Sequence, residues 1–464
     1  MKKKTLISES GNYANRWKAL AVLCAAQFMV IMDTSIIGVA LPAIQKALNY
    51  EANALHWIFN AYVIVFGGLL LLGGKLSDTL GPKKIFMTGF VILSLASLFT
   101  GFAWSEASMN VGRAIQGLGA ALIAPSALTL LMTMFTEPKE IGKALGFWGA
   151  SAAAGGSAGV FLGGVLTDFM DWRWTFFINL PIGIAVILFG SGLLLKGDKQ
   201  KGKIDAFGSL LITAAISVLV YTLVTLEGSG LLSLRTLGLL AVSLLLFLVF
   251  IAIQKRSRNQ LIPLVIFRAK NLVAANVITA LLAAAWIPLW FFLNLYLQQI
   301  LGFTAFHSGL ALLPMTLAIM VLMVLFSGKI VARLGVKGAL STGLLLLSGS
   351  LVWLAFLPAN SSYFVHVIWP TLLAATGMSM AYVPATIAAM SSVKPEETGI
   401  ASGLVNSTYQ VGSALGLALA VAVSAYVVST QSLEIPGSGF QAAFLFAAAI
   451  SLLGFLTTRL KLIK

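Results

Sequence analysis

Long apolar runs recur along the chain from Trp17 to Leu460, and polar residues are confined to the short stretches between them. A helix needs roughly 20 residues, at 1.5 Å each, to cross the hydrocarbon layer of a bilayer. The pattern predicts spans at 18–43, 54–73, 85–104, 108–134, 142–166, 174–195, 205–226, 234–254, 272–300, 308–328, 337–357, 364–390, 399–428 and 439–459. The runs are continuous, without the ten-residue alternation of a membrane β-barrel. The fold class is therefore all-α: a polytopic membrane protein with fourteen transmembrane helices.

An internal repeat organises these spans. Pro138, Glu140, Gly142, Ala144, Gly146, Gly155 and Gly159 recur as Pro395, Glu397, Gly399, Ala401, Gly403, Gly412 and Gly416, and GKLSDTLGPKK from Gly74 aligns with GKIVARLGVKG from Gly328. Both matches place spans 1–6 on spans 9–14 in the same orientation. The reading is a cytoplasmic tail at 1–17, a six-helix bundle at 18–197, two extra linking helices within 198–270, a second six-helix bundle at 271–460, and a tail at 461–464. Parallel repeats of this kind put a substrate site between the bundles near the midplane.

Composition agrees with a lipid environment: 59% of the 464 residues are hydrophobic and 10% charged, against roughly 25% charged in soluble domains. The formal charge of +15 does not indicate a nucleic-acid partner, because the basic residues are scattered through loops instead of clustered on one face. Nearly all of the 30 Lys and Arg fall in alternate loops. That excess marks the cytoplasmic side, with both termini inside. Cys24 is the only cysteine, so neither an intramolecular disulfide nor a cysteine metal cluster is possible. No GxxxxGK[ST] loop for ATP is present, no metal or cofactor is expected, and no paired carboxylates suggest an intramembrane enzyme.

Charges near the bilayer centre cost at least ~3 kcal/mol and mark function when they occur. Two are deep: Asp33 in IMDTSIIGVALPAI and Arg113 in GRAIQGLGAALIAPSAL. They lie about 15 Å and 10 Å from the same ends of their spans at 1.5 Å per residue, close enough in depth to meet. Asp33 is read as a proton acceptor in a central crevice, discharged when Arg113 or a cationic substrate approaches. The loop Gly74–Lys84, with Gly74, Asp78, Gly81, Lys83 and Lys84, can latch onto helix ends. Gly155, Gly159, Gly163 and Gly164 permit close helix packing. Phe28, Trp57, Asn60, Tyr62, Trp286, Trp290, Asn294, Tyr296, Gln298, Tyr382, Asn406, Tyr409 and Gln410 are candidates for a mixed apolar and polar substrate cavity.

GKLSDTLGPKKI resembles the loop-2 signature of the major facilitator superfamily, and GRAIQGLGAALIAPSAL its span-4 signature, with Arg113, Gln116, Gly117 and Gly119 in place. MDTSIIGVALPAI, DWRWTFFINLPIG and YLQQILGFTAFHSGLALLP resemble the fourteen-span drug:proton antiporter branch. The resemblance implies a transporter of a bacterial cytoplasmic membrane, not an enzyme. It would act as a monomer among membrane lipids and export drugs or other amphipathic compounds in exchange for protons, with Asp33 and Arg113 in coupling and Gln116 and Gly117 in the moving parts. Two positions depart from the pattern: Thr79 and Pro82 replace the usual loop-2 arginines, and Val160 stands where the span-5 antiporter motif has proline. Spans 10 and 13 lack the extra carboxylate of relatives that accept dications, so the expected substrates are neutral, zwitterionic or monocationic. The competing readings are dedicated export of an endogenous lipid, peptide or metabolite, and a non-transporting membrane sensor.

Overall fold

The computed structural model describes residues 15–50, 54–55, 57–195, 205–225, 233–257, 260, 266, 271–358, 361–391, 393–394, 397–430 and 438–462. Its helices, in chain order, are α1 (Arg16–Ser35), α2 (Ile37–Leu48), α3 (Trp57–Leu80), α4 (Pro82–Gly101), α5 (Glu106–Met134), α6 (Pro138–Phe169), α7 (Trp174–Phe177) and α8 (Asn179–Leu193), followed by α9 (Ala206–Val224), α10 (Leu234–Arg256), α11 (Leu272–Gln299), α12 (Ala305–Val321), α13 (Ser327–Ala355), α14 (Ile368–Met390), α15 (Thr398–Thr430) and α16 (Ser438–Lys461). There is no strand among the described residues. Among the described residues, twelve helical stretches are long and apolar enough to cross a membrane, one of them Phe306–Ala355. Dividing that stretch at Gly335, whose φ of +68° breaks the helix, and adding the shorter apolar helix Phe207–Thr222 gives the fourteen spans.

Three boundaries differ from the sequence reading. The first span is two helices, α1 and α2, meeting at Ile36. Thr34 and Ser35 both donate their hydroxyls to the Ile31 carbonyl at this point, a back-bonding pattern that bends helices. The expected loop Gly74–Lys84 is mostly helix: α3 continues to Leu80, and the turn is made by Gly81 alone at φ +97° before Pro82 opens α4. Apolar periodicity stops at Gly74, yet Gly73, Gly74 and Asp78 pack against other helices and so stay helical. Spans 10 and 11 run on as one helical stretch: a π-helical turn at Leu322–Phe326 interrupts span 10, and the kink at Gly335 takes the place of an open loop between the two.

Contacts divide the chain into two units: Met1–Ser209 with Ser257–Ile262 and Lys394–Leu404, and Leu210–Arg256 with Pro263–Val393 and Val405–Lys464. Within the first, Gly89 and Gly119 let α4 cross α5 at backbone distance, and Gly155, Gly159 and Gly163 seat α6 on α1 and Ile36. Within the second, Gly343 and Gly377 bring α13 onto α14, and Gly412 and Gly416 seat α15 on Ala280 and Ala284 of α11. Gly81 and Gly335 have positive φ in both copies of the aligned loop segment. The second unit also holds α10, tied to α9 by the Ser243 hydroxyl donating to the Ala215 carbonyl at 2.8 Å.

Candidate functional site

The centre of the first unit is a buried polar network on five helices. α5 is its axis, and a capping box between Ser105 and Ser108 fixes its first turn. Gly117 admits the backbone of α3 at Tyr62 and Phe66, and Gly119 admits α4 at Gly89 and Leu93. Arg113 and Gln116, three residues apart and so on one helix face, are thereby enclosed between neighbours.

Arg113 Nη1 donates to Asp33 Oδ2 of α1 at 2.7 Å and to Gln116 Oε1 at 3.0 Å, and its Nε donates to the Ile58 carbonyl at 3.0 Å. Its guanidinium lies 4.5 Å from the centre of the Tyr62 ring, a cation–π contact. The other carboxylate oxygen, Asp33 Oδ1, accepts from Gln116 Nε2 at 3.1 Å and from Asn179 Nδ2, on the first residue of α8, at 2.6 Å. Both amides also donate to Ser97 Oγ of α4, at 2.8 and 3.2 Å. Arg113 Nη2, Asn179 Oδ1 and the Tyr62 hydroxyl are buried without a partner. The charged pair satisfies most of its own bonding, which a buried ion pair must do to offset desolvation.

Asp33 and Arg113 meet, as their depths predict, but the crevice does not appear: both side chains have no exposed surface. The glycine face of α6 closes against α1 on one side. Toward the α2–α3 connection an apolar cluster including Ile36, Ile37, Ile58, Met109 and Phe176 covers the pair. Beyond it the Tyr50 hydroxyl donates to the Glu106 carbonyl and the Asn110 side-chain oxygen, and burial, with the Glu106 carboxylate nearby, pushes that phenol above its usual range.

At the opposite end of the unit, Asp78 accepts backbone N–H bonds from Gly399 at 2.8 Å and Ile400 at 3.0 Å, through one carboxylate oxygen each. These are orphan donors of the first turn of α15, where negative charge is favoured. Gly74 lies directly against Gly399 and Gly403, so none of the three has room for a side chain. Lys83 donates to the carbonyls of Ser191 and Leu194, at 2.6 and 2.8 Å, and caps the C-terminal end of α8. Lys84 is exposed, and Gly164 is half-buried on α6. At Val160, α6 runs unbroken with no internal proline.

The aromatic and amide candidates separate. In the first unit, Phe28 and Trp57 are half-buried, Asn60 is buried with its Nδ2 unpartnered, and Tyr62 belongs to the ion-pair network. In the second unit, Trp286 and Trp290 pair edge to face at 6.3 Å, as do Tyr382 and Tyr409 at 6.2 Å. Asn294 accepts from Gln298 and Ser308, Tyr296 packs on Phe440, and Asn406 and Gln410 are half-buried on α15.

Sequence reasoning missed Ser97, Asn179 and the structural part played by Tyr62. Asn179 carried a signal, a lone amide before proline in FFINLPIG. Ser97 carried none, since serine is ordinary inside apolar helices.

The sequence matches the Major Facilitator Superfamily over residues 23–417. The cephamycin export protein CmcT of Amycolatopsis lactamdurans is 34% identical over 443 residues, covering 94% of this chain and 91% of that protein. The puromycin resistance protein pur8 of Streptomyces alboniger is 33% identical over 453 residues, covering 94% and 90%. The fold is similar to the human organic anion transporter MFSD10, with a TM-score of 0.67 and 14% identity over 96% of this chain and 99% of that one. It is similar also to the proton:xylose symporter XylE, with a TM-score of 0.69 and 12% identity over 96% and 95%. Matched along most of its length in sequence and fold, the chain belongs to the major facilitator superfamily, whose members are multi-pass membrane transporters and not enzymes.

Proposed function

We propose that the protein is a proton-coupled exporter of the fourteen-span branch, carrying drugs or other amphipathic small molecules out across a bacterial cytoplasmic membrane by alternating access. One observation carries the reading: a carboxylate fully buried in the membrane-spanning part, held by a single arginine and two amides. Such a group is costly and persists where protons or substrates are handled. The drug and antibiotic names of the relatives support the cargo class. The described residues of α12 and α15 contain no Asp or Glu, which favours neutral, zwitterionic or monocationic cargo. No cofactor is required, since the driving force is the proton gradient. Positive charge in alternate loops supports cytoplasmic termini, and a single chain contains both repeats and so can act as a monomer.

In the state described, Asp33 is sealed with Arg113. Proton exchange therefore belongs to another state of the cycle, in which the helices around α1 part and water reaches the carboxylate. Asp78 at the first turn of α15 and the glycine seats of α6 are the contacts that such a change must break or slide. One charge moving across ~150 mV is worth roughly 3.5 kcal/mol, enough for a gradient of a few hundred-fold.

Efflux of ethidium and puromycin, measured in everted vesicles with an imposed pH gradient, tests the reading. Asp33→Asn should abolish pH-driven movement of whichever compound the unsubstituted protein carries, while the substituted protein still elutes as a folded species. Efflux at the original rate would overturn the coupling role.

A further inference from the structure

We infer that Asn179 is the positioning residue that lets the network hold Asp33 in either protonation state, by turning its side-chain amide over when the carboxylate takes up a proton. The inference rests on the reading of Asp33 as the proton carrier and adds the element that accommodates the proton.

Asp33 Oδ2 faces the Arg113 guanidinium at 2.7 Å, so a proton there would oppose a cation. The proton therefore settles on Oδ1. That oxygen faces two N–H donors, Gln116 Nε2 and Asn179 Nδ2. Once it becomes O–H it is itself a donor, and one of the two amides must present an oxygen instead. Gln116 is not free to do so, because its Oε1 accepts from Arg113 Nη1 at 3.0 Å, and turning it would set an NH2 group against the guanidinium. Asn179 has the opposite arrangement. Its Oδ1 is buried without a partner, while its Nδ2 makes both of its contacts, to Asp33 and to Ser97.

The two ends of an amide have nearly the same size, so a half-turn moves no heavy atom appreciably. After the turn, Asn179 Oδ1 occupies the place of Nδ2. It accepts from the new Asp33 O–H, and the Ser97 hydroxyl, which receives two N–H bonds in the charged state, can donate to the same oxygen. Proton uptake thus keeps Asp33 and Ser97 bonded around a fixed backbone, and the partnerless end of the Asn179 side chain changes from oxygen to NH2. The titratable and charged groups facing Asp33 among the described residues are Arg113 from α5 and Tyr62 from α3. α4 and α8 present only Ser97 and Asn179, and α6 presents glycines.

The test is infrared difference spectroscopy, acid minus neutral, on the full chain reconstituted in lipid. Asp33 protonation is read from the carboxylic-acid carbonyl band and the amide from isotope-labelled asparagine. In the unsubstituted protein, a labelled asparagine amide band should shift with the same pH midpoint as the carboxylic-acid band. Asn179→Asp, of nearly the same size but bringing a second carboxylate, should raise the midpoint by about one pH unit or more, since two close carboxylates share a proton. Asn179→Leu removes the acceptor and should move the acid band to higher frequency, as for a carboxyl whose hydrogen is unbonded. An asparagine band that does not titrate with the acid, or an acid band that keeps its frequency in Asn179→Leu, overturns the inference. Asp33→Asn separates the two ideas. Survival of the acid band in that variant sinks the coupling role of Asp33 itself, whereas its loss alongside unresponsive Asn179 arms sinks only the amide turn.

Discussion

Replacing Asp33 by asparagine strands the guanidinium of Arg113, which has no exposed surface and no other carboxylate within ion-pair distance among the described residues. Arg113 keeps its bond to Ile58 and its stacking on Tyr62, and an asparagine oxygen can still accept from Nη1. The loss should therefore fall near the lower end of the 3–5 kcal/mol typical when one partner of a buried pair is removed, about 3 kcal/mol. At roughly 2–4 °C per kcal/mol for a unit of this size, unfolding moves down by ~6–12 °C. Arg113→Met alone strands the carboxylate with only the two amide donors and should cost a similar amount. The double variant leaves neutral groups throughout and should recover about 2–3 kcal/mol relative to the sum of the singles. A thiol-reactive dye provides the assay, because Cys24 on α1 is the sole cysteine and becomes reactive as the unit opens on heating in detergent. Additivity of the two single losses to within about 0.5 kcal/mol would refute the claim that the pair is electrostatically coupled in the folded protein.

Asp78→Asn leaves one of two α15 amides without its acceptor, a loss of about 1 kcal/mol. Hydrogen exchange at Gly399 and Ile400 should quicken about five- to tenfold in mass spectrometry, and unchanged exchange would deny the cap. Gly159→Val and Gly416→Val each drive a side chain into backbone atoms of α1 or α11, so each should lower stability in detergent by at least 1–3 kcal/mol; a neutral result at either would mean that the helices do not seat as described. Lys83→Gln removes a half-buried C-terminal cap of α8 worth roughly 0.3–1 kcal/mol. Its melting temperature should drop by no more than a few degrees, and a loss as large as that of Asp33→Asn would show that the lysine does more than cap.

The fourteen spans and the meeting of Asp33 with Arg113 were legible because hydrophobic run length, and the high cost of a charge in lipid, are properties of the sequence itself. The repeat was legible because its glycines sit where helix backbones touch in each unit, so Gly155 and Gly412 answer the same packing demand. Helix ends were less so: α3 continues past Gly74 because Asp78 and Gly74 have tertiary partners from residues 399–403, and no local signal announces that. The polar network was only half visible. Gln116 lies one turn from Arg113 and could be read, but Ser97 and Asn179 join from α4 and α8 through tertiary packing alone. The closure of Asp33 from water was the largest difference, since it depends on α6 and the Ile36–Ile58 cluster folding over a span whose own sequence is unremarkable apart from the aspartate.

The most direct test of the central claim counts protons. Purified protein in weakly buffered detergent, held on the acid side of the midpoint at which Asp33 takes up its proton, should release about one proton per chain when it binds a compound that it exports, chosen from ethidium and puromycin. Asp33→Asn should bind the same compound and release none. Equal release from both proteins, or binding without release by the unsubstituted one, would contradict exchange of cargo for a proton at this carboxylate.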